Sequence, residues 1–178
     1  MSRKLIALIF CYIVSGNAIA QDCKFEVETD AHVESKYLTI FRGGSIGLAG
    51  HFGIKEGLAY LRARYFSQFR AKAQFDSSTP LVIELADGTR FELPVLEDSA
   101  ARLKFAGFAM NNREAQPTYE LSRSQMESLA ATPITALTLN FVADNEQRST
   151  DRSVKESHAE KMLEAIRCLP LERLVASD

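Results

Sequence analysis

The sequence is poor in the residues that mark specialised protein classes. Its 178 residues include no Trp, three Cys, five Pro and nine Gly, and its formal net charge is only −2. Glycine and proline are too scarce for a collagen or low-complexity chain, and cysteine is too scarce for a disulfide-rich miniprotein. With 46% hydrophobic and 25% charged residues, the chain has the composition of one ordinary globular domain.

Motifs that bind cofactors, nucleotides or metals are also missing. The sequence contains no Walker A motif, no dinucleotide fingerprint and no calcium-binding loop. The histidines at positions 32, 51 and 158 have neither H-x-H nor H-E-x-x-H spacing. We therefore expect no metal and no cofactor, and the slightly negative charge argues against a nucleic-acid partner.

The N-terminus has the form of a secretory signal peptide. Arg3 and Lys4 precede an apolar run over residues 5–14, and Ala18-Ile19-Ala20 is typical of a cleavage site. The run is about half the ~20 residues that a membrane-spanning helix needs, so we expect no membrane span in the mature chain. Residues 1–20 are thus predicted to be a signal peptide, and residues 21–178 one globular domain in a bacterial periplasm or secreted. Cleavage would remove two basic residues and no acid, which shifts the formal charge to −4.

The cysteines predict one disulfide bond. Cleavage would discard Cys11 and leave Cys23 and Cys168 near the two ends of an exported chain. Two thiols in an oxidising compartment are expected to pair. The bridge would close a loop of nearly the whole domain, for which chain entropy gives about 5 kcal/mol as an upper figure. No C-x-x-C spacing points to a redox role, so we expect a structural bridge.

Alternation of apolar and polar residues predicts mainly strands. Residues 23–29, 37–42, 103–110 and 134–142 alternate at period two or form short apolar segments. Residues 58–75 fit both a strand and a helix. We favour strands with a bend or break near Ser67, because a strand would place nearly all apolar residues on one face and nearly all polar residues on the other. A helix remains the alternative.

Turn and capping residues predict the remaining elements. Residues 81–93 form a hairpin whose loop is residues 86–88, with Gly88 left-handed, because a two-residue loop would place charges beside core residues. Ser122 and Gln125 form a capping box that starts a short helix. Residues 144–151 are expected to be a polar loop, residues 154–169 a C-terminal helix, and the tail beyond Pro170 frayed. The fold class is therefore α+β: a mainly antiparallel sheet with one short helix and a C-terminal helix packed across it.

A glycine-rich segment contains the one literal catalytic motif. Residues 43–47 match G-x-S-x-G with Ser45 at the nucleophile position. A nucleophile elbow needs a helix after the serine, and six of the nine glycines lie between residues 43 and 57. Each would destabilise a helix by about 1 kcal/mol, so we expect a flexible loop or irregular edge segment instead. His51 is then a solvent-exposed loop residue, and a weak candidate for a general base or ligand.

The basic residues of 62–72 form the candidate binding surface. On strands they share one face, whereas Tyr65 and Phe69 point to the other, which disfavours a nucleic-acid groove with stacked bases. The face could instead receive an acidic protein or an anionic small ligand such as a sugar acid or a lipid headgroup. Its members are Arg62, Arg64, Arg70 and Lys72.

A non-enzymatic binding or interaction module is the favoured function. No catalytic constellation agrees with its structural context, so an enzyme is the weaker interpretation. One alternative is a small serine-dependent hydrolase that uses Ser45 with His51 or His158. The other is a structural component of the cell envelope. The sequence specifies neither a ligand, a partner nor an oligomeric state.

Overall fold

The computed structural model describes residues 23–43, 46–67, 72–105 and 111–175. The predicted signal peptide, together with Ser45 and Arg70, lies outside these ranges. Within them, no helix combines the length and the apolar character that a membrane crossing requires.

The described residues form strands joined by antiparallel pairings, with two helices. The helices are α1 (Arg123–Ala131) and α2 (Glu156–Arg167). The strands, in chain order, are β1 (Phe25–Glu28), β2 (His32–Ser35), β3 (Leu38–Gly43), β4 (Ile46–Lys55), β5 (Leu58–Ser67), β6 (Gln74–Phe75), β7 (Leu81–Leu85), β8 (Arg90–Leu93), β9 (Val95–Glu97), β10 (Ser99–Ala100), β11 (Arg102–Phe105), β12 (Asn111–Ala115), β13 (Thr118–Leu121), β14 (Ile134–Ala143) and β15 (Glu146–Ser153).

The first sheet is built around the long strands β4 and β5. They pair along their full length, from Ile46 with Ser67 to Lys55 with Leu58. On the far side of β4 lie β2 and β3, and on the far side of β5 lie β12 and β13. Strand β1 extends the sheet beyond β2, while β11 and β9 extend it beyond β12 and β13. The strand interpretation of this segment is therefore confirmed over residues 58–67.

The second sheet contains β14 at its centre, flanked by β7 and β6 on one side and β15 on the other. Its hairpin β7–β8 has the predicted register, with Leu81 opposite Leu93 and Ile83 opposite Phe91. Gly88 has φ of +85°, the left-handed conformation expected in the three-residue loop. The positions of the hydrophobic residues along the two strands were thus sufficient to predict which residues pair.

The two sheets share one hydrophobic core. Tyr65 on the inner face of the first sheet lies 5.3 Å from Phe75 and 6.0 Å from Phe141 of the second, measured between ring centroids. Helix α2 contacts both β3 and β14, one strand from each sheet. The predicted α+β class is confirmed, with the strands divided between two packed sheets.

The predicted helix start and disulfide are present. Ser122 accepts a hydrogen bond from the Gln125 backbone N–H, while the Gln125 side chain accepts one from the Ser122 N–H. Sγ of Cys23 is bonded to Sγ of Cys168, and the bridge spans a sequence separation of 145 residues. It joins the segment before β1 to the C-terminal end of α2.

The glycine-rich segment is not a loop, which corrects the prediction. Residues 46–55 form β4, and most of that strand is buried on both faces. A Cβ at Gly47 would overlap the ring of Phe66, and a Cβ at Gly53 would lie 2.5 Å from Cζ of Tyr60. The glycines therefore make room for cross-strand aromatic rings, a packing arrangement that glycine content alone does not indicate.

Residues 144–151 are also not a loop. Asp144 and Asn145 have φ of 55° and 62°, and they form a two-residue turn between β14 and β15. Asp and Asn are the non-glycine residues that tolerate this conformation best, and paired positive φ values match the twist of a hairpin. Strand β15 is polar because it lies at the exposed edge of its sheet.

The tail beyond Pro170 is docked rather than frayed. Residues Leu171–Arg173 form a short 3-10 helix, and Leu174 is only 5% exposed. The N–H of Val175 donates to the carbonyl oxygen of Gly57 over 3.1 Å. The tail is therefore attached to the turn between β4 and β5 up to residue 175.

Candidate functional site

The outer face of the first sheet carries a second layer of packed side chains, which we call the aromatic–arginine layer. Strand β5 alternates strictly: Leu61, Ala63 and Tyr65 point into the core, and the even-numbered residues between and beside them point outward. The layer consists of Tyr37, His51, Tyr60, Arg62, Arg64 and Phe66.

This layer covers the outward positions of β4. Phe66 lies opposite Gly47 and Tyr60 lies opposite Gly53, so each ring occupies the place of a missing side chain. Ala49, between them, is 3% exposed although it points away from the core. The small residues of β4 thus form the floor on which larger side chains of β5 are packed.

Arg64 is held from below by Glu114 on β12. Nη2 of Arg64 donates to Oε2 of Glu114 over 2.7 Å, and the Gln116 amide donates to Oε1 over 2.9 Å. The hydrogen bond with Glu114 raises the pKa of Arg64. The two side chains differ in exposure, 45% for Arg64 and 8% for Glu114. A charge-assisted hydrogen bond to a buried carboxylate therefore fixes the guanidinium at the surface.

Arg62 forms an ion pair with Glu34 on β2. Nη1 of Arg62 lies 3.3 Å from Oε1 of Glu34, and the exposures are 45% and 4%. Burial, together with the charge of Glu34, raises the pKa of Tyr60. The Tyr60 hydroxyl lies 2.7 Å from Nε2 of His32, which extends the network across three strands.

The guanidinium groups of both arginines also lie over aromatic rings. The guanidinium carbon of Arg64 lies 5.8 Å from the centroid of Tyr37, and that of Arg62 lies 5.5 Å from the centroid of Tyr60. The Tyr37 and His51 ring centroids are 5.0 Å apart. Nδ1 of His51 lies 3.0 Å from the carbonyl oxygen of Ser35. Because that oxygen can only accept, Nδ1 carries the proton and donates.

The geometry separates the charges of the layer by depth. Both carboxylates lie beneath it, whereas about half of each guanidinium side chain faces solvent. Arg62 and Arg64 are two residues apart on one strand face, which places their Cα atoms about 7 Å apart. A ligand that approaches this face meets two positioned cations and not their counterions, although each pair is neutral as a whole.

Of the other predicted site residues that the structure describes, His51 belongs to this layer, whereas Lys72 and His158 do not. His51 lies half-buried on β4, so its assignment to an exposed loop was wrong. Lys72 is exposed just before β6 of the second sheet, and Arg70 lies outside the described residues. The structure thus brings together two of the four predicted binding residues.

The hydrolase motif is not followed by the helix that it needs. Ser45 lies outside the described residues, but residues 46–55 continue as β4, paired with β3 and β5. The strand–turn–helix context of a nucleophile elbow is therefore not met. His158 lies on α2, and its buried Nδ1 has no hydrogen-bond partner within the described ranges. Among the described residues, no three His, Cys, Asp or Glu side chains lie close enough together to hold a metal ion.

Sequence reasoning missed the residues that organise the site. Glu34, Glu114, Tyr60 and His32 are polar or aromatic residues on strand faces, and no local motif distinguishes them. Only the pairing of β2 with β4 and of β12 with β5 brings His32, Glu34 and Glu114 beside the arginines, whereas Tyr60 lies on β5 with them.

Known proteins provide no guide to the use of this site. Comparison with protein-family models, with curated proteins and with solved structures gives no match. The function is therefore inferred from the chemistry of the site itself.

Proposed function

We propose that the protein is a non-enzymatic binding module that acts outside the cytoplasm and holds an anionic group on the aromatic–arginine layer. The observation that carries this proposal is the difference in exposure between the paired charges. Arg62 and Arg64 are each 45% exposed, whereas their partners Glu34 and Glu114 are 4% and 8% exposed. An approaching carboxylate would meet donors that are already oriented.

Rigidity of the layer favours binding over chemistry. Glu114 accepts hydrogen bonds from Arg64 and Gln116, so both of its oxygens are engaged. It is fixed as a support, whereas a general base must be free to accept a substrate proton. A positioned receptor loses little side-chain entropy when it binds, and this is the advantage of preorganisation.

The disulfide supports an extracytoplasmic location. Cys23 and Cys168 are bonded, and such bonds persist mainly in oxidising compartments. Together with the predicted signal peptide at residues 1–20, this bond supports the proposed location in a periplasm or outside the cell.

Binding of a generic polycarboxylate tests the proposal. Mature protein with 15N-labelled arginine is titrated with hexaglutamate, and the Nε resonances are followed by NMR. We expect saturable shifts at Arg62 and Arg64 that weaken with added salt, because exposed charges are screened. The shifts should disappear in the Arg62→Gln/Arg64→Gln variant. Arg90→Gln, a change to an exposed arginine of the second sheet, is the matched control and should bind normally.

Two results would contradict the proposal. One is the absence of any shift at either arginine with every anion tried. The other is equal binding by the double variant and the wild type, which would place the anion elsewhere on the surface.

A further inference from the structure

We infer that the anionic ligand is a uronic-acid saccharide, with one sugar ring against Tyr37 and its carboxylate on Arg64. This inference rests on the proposed function and specifies its ligand. Four features carry it: an exposed ring, a fixed orientation of that ring, an adjacent half-exposed guanidinium, and a second guanidinium further along the same strand.

Tyr37 is the exposed aromatic side chain of the layer. It is 42% exposed, while Tyr60 is 5% exposed. An exposed ring on a sheet face offers a flat apolar surface with a polar hydroxyl at its edge. The C–H face of a pyranose ring has a complementary shape and is apolar, whereas the hydroxyls around it are polar.

The Tyr37 ring is held in place by its neighbours. The His51 ring lies 5.0 Å away at an interplanar angle of 59°, and the guanidinium carbon of Arg64 lies 5.8 Å from the Tyr37 centroid. His51 is itself fixed by Ser35. The ring is therefore oriented before a ligand arrives, so stacking does not require it to be ordered first.

The Arg64 guanidinium lies over part of the Tyr37 ring. Its carbon is 5.8 Å from the Tyr37 centroid. The carboxylate of a uronic acid is attached directly to the sugar ring, so stacking on Tyr37 brings it next to Arg64. Glu114 occupies Nη2, and the remaining N–H groups can donate to a second carboxylate.

Arg62 extends the site to an oligosaccharide. Its Cα lies about 7 Å from that of Arg64 along β5, so the carboxylate of a neighbouring sugar can reach it. An acidic peptide or a phosphate would use the same cations but would gain nothing from Tyr37. The aromatic ring therefore separates a uronate from the other anions.

Isothermal titration of the mature protein tests the inference. The probes are trigalacturonate, triglucuronate, the neutral trisaccharide galactotriose, and hexaglutamate. We expect one of the two uronates to bind more tightly than hexaglutamate, and galactotriose not to bind. Tyr37→Leu and Arg64→Gln should each weaken uronate binding by about tenfold, the loss expected for one stacking contact or one charged hydrogen bond. Hexaglutamate binding should respond to Arg64→Gln and not to Tyr37→Leu.

The outcomes distinguish this inference from the proposed function. Uronate binding that is unchanged by Tyr37→Leu overturns the inference, as does hexaglutamate binding at Arg64 in the absence of uronate binding. In both cases an anion still binds at the layer, and the proposed function stands. If no probe binds to the wild type, both fail. Arg90→Gln serves as the control that should leave all affinities unchanged.

Discussion

Replacement of Gly47 by Ala should destabilise the protein, because Phe66 occupies the space that the new methyl group needs. The two residues are directly opposite in the β4–β5 pair, and the Gly47 Cβ would overlap three atoms of the ring. Overpacking of this kind costs about 1–3 kcal/mol. Gly→Ala within a strand recovers about 0.5–1 kcal/mol of backbone entropy. Phe66 is half-buried, so its ring can move toward solvent and relieve part of the overlap. We therefore expect Gly47→Ala to lower the free energy of unfolding by about 1 kcal/mol.

A double-mutant cycle checks whether the ring is the cause. In a Phe66→Ala background the overlap is gone, so Gly47→Ala should stabilise the protein by about 0.5–1 kcal/mol. The coupling between the two positions is then about 1.5–2 kcal/mol, well above the additivity error of ~0.5 kcal/mol for independent sites. Urea unfolding followed by circular dichroism gives the four free energies, with equal m-values required. If Gly47→Ala has the same effect in both backgrounds, the ring does not cover the glycine.

Four further predictions concern the disulfide, the buried Tyr119 and Ser45. Changing Cys23 and Cys168 to Ser should lower the free energy of unfolding by up to about 5 kcal/mol, because the two residues are separated by 145 positions. An unchanged urea midpoint would show that the bridge does not restrict the unfolded chain. The buried hydroxyl of Tyr119 has no hydrogen-bond partner among the described residues, and burial raises its pKa. Tyr119→Phe should therefore leave the free energy of unfolding unchanged or raise it by up to ~1 kcal/mol at neutral pH. A clear loss of stability would show that the hydroxyl has a partner, such as a bound water. Because this raised pKa makes the folded state keep a proton that the unfolded chain loses near pH 10, wild-type stability should fall above about pH 10, and less steeply in Tyr119→Phe. Treatment with a fluorophosphonate should leave the protein mass unchanged; a gain that disappears in Ser45→Ala would instead support the hydrolase alternative.

The sequence predicted the hairpin and the start of the short helix, because nearby residues determine both. The hairpin register followed from the phase of Leu81, Ile83 and Leu85 against the partner strand, and the capping box followed from Ser122 and Gln125. In each case the deciding contacts join residues of one hairpin or one helical turn, at most 12 positions apart (Leu81 and Leu93). Neither depends on how the rest of the chain packs.

Strand β4 could not be predicted in this way, because its glycines are explained by residues on another strand. Gly50 illustrates the consequence: in a loop its replacement by Ala would be harmless. In β4, however, the new Cβ would lie 2.6 Å from the carbonyl oxygen of Arg62. We therefore expect Gly50→Ala to be costly, as Gly88→Val is in the left-handed position of the hairpin. Glycine content indicates freedom of the backbone only where nothing else occupies the side-chain position.

For the same reason, the sequence predicted the two arginines of the candidate site but not the glutamates that hold them. Period-two alternation placed Arg62 and Arg64 on one face, since it is a property of β5 alone. Their glutamates come from β2 and β12, separated in sequence from the arginines by 28 residues (Glu34 to Arg62) and 50 residues (Arg64 to Glu114). Without them the face is two mobile surface arginines, for which one bound anion has to order both side chains. With them the same residues form a receptor whose conformation is set before binding. The property that makes the layer a binding site is therefore tertiary, and it depends on carboxylates that the ligand would never touch.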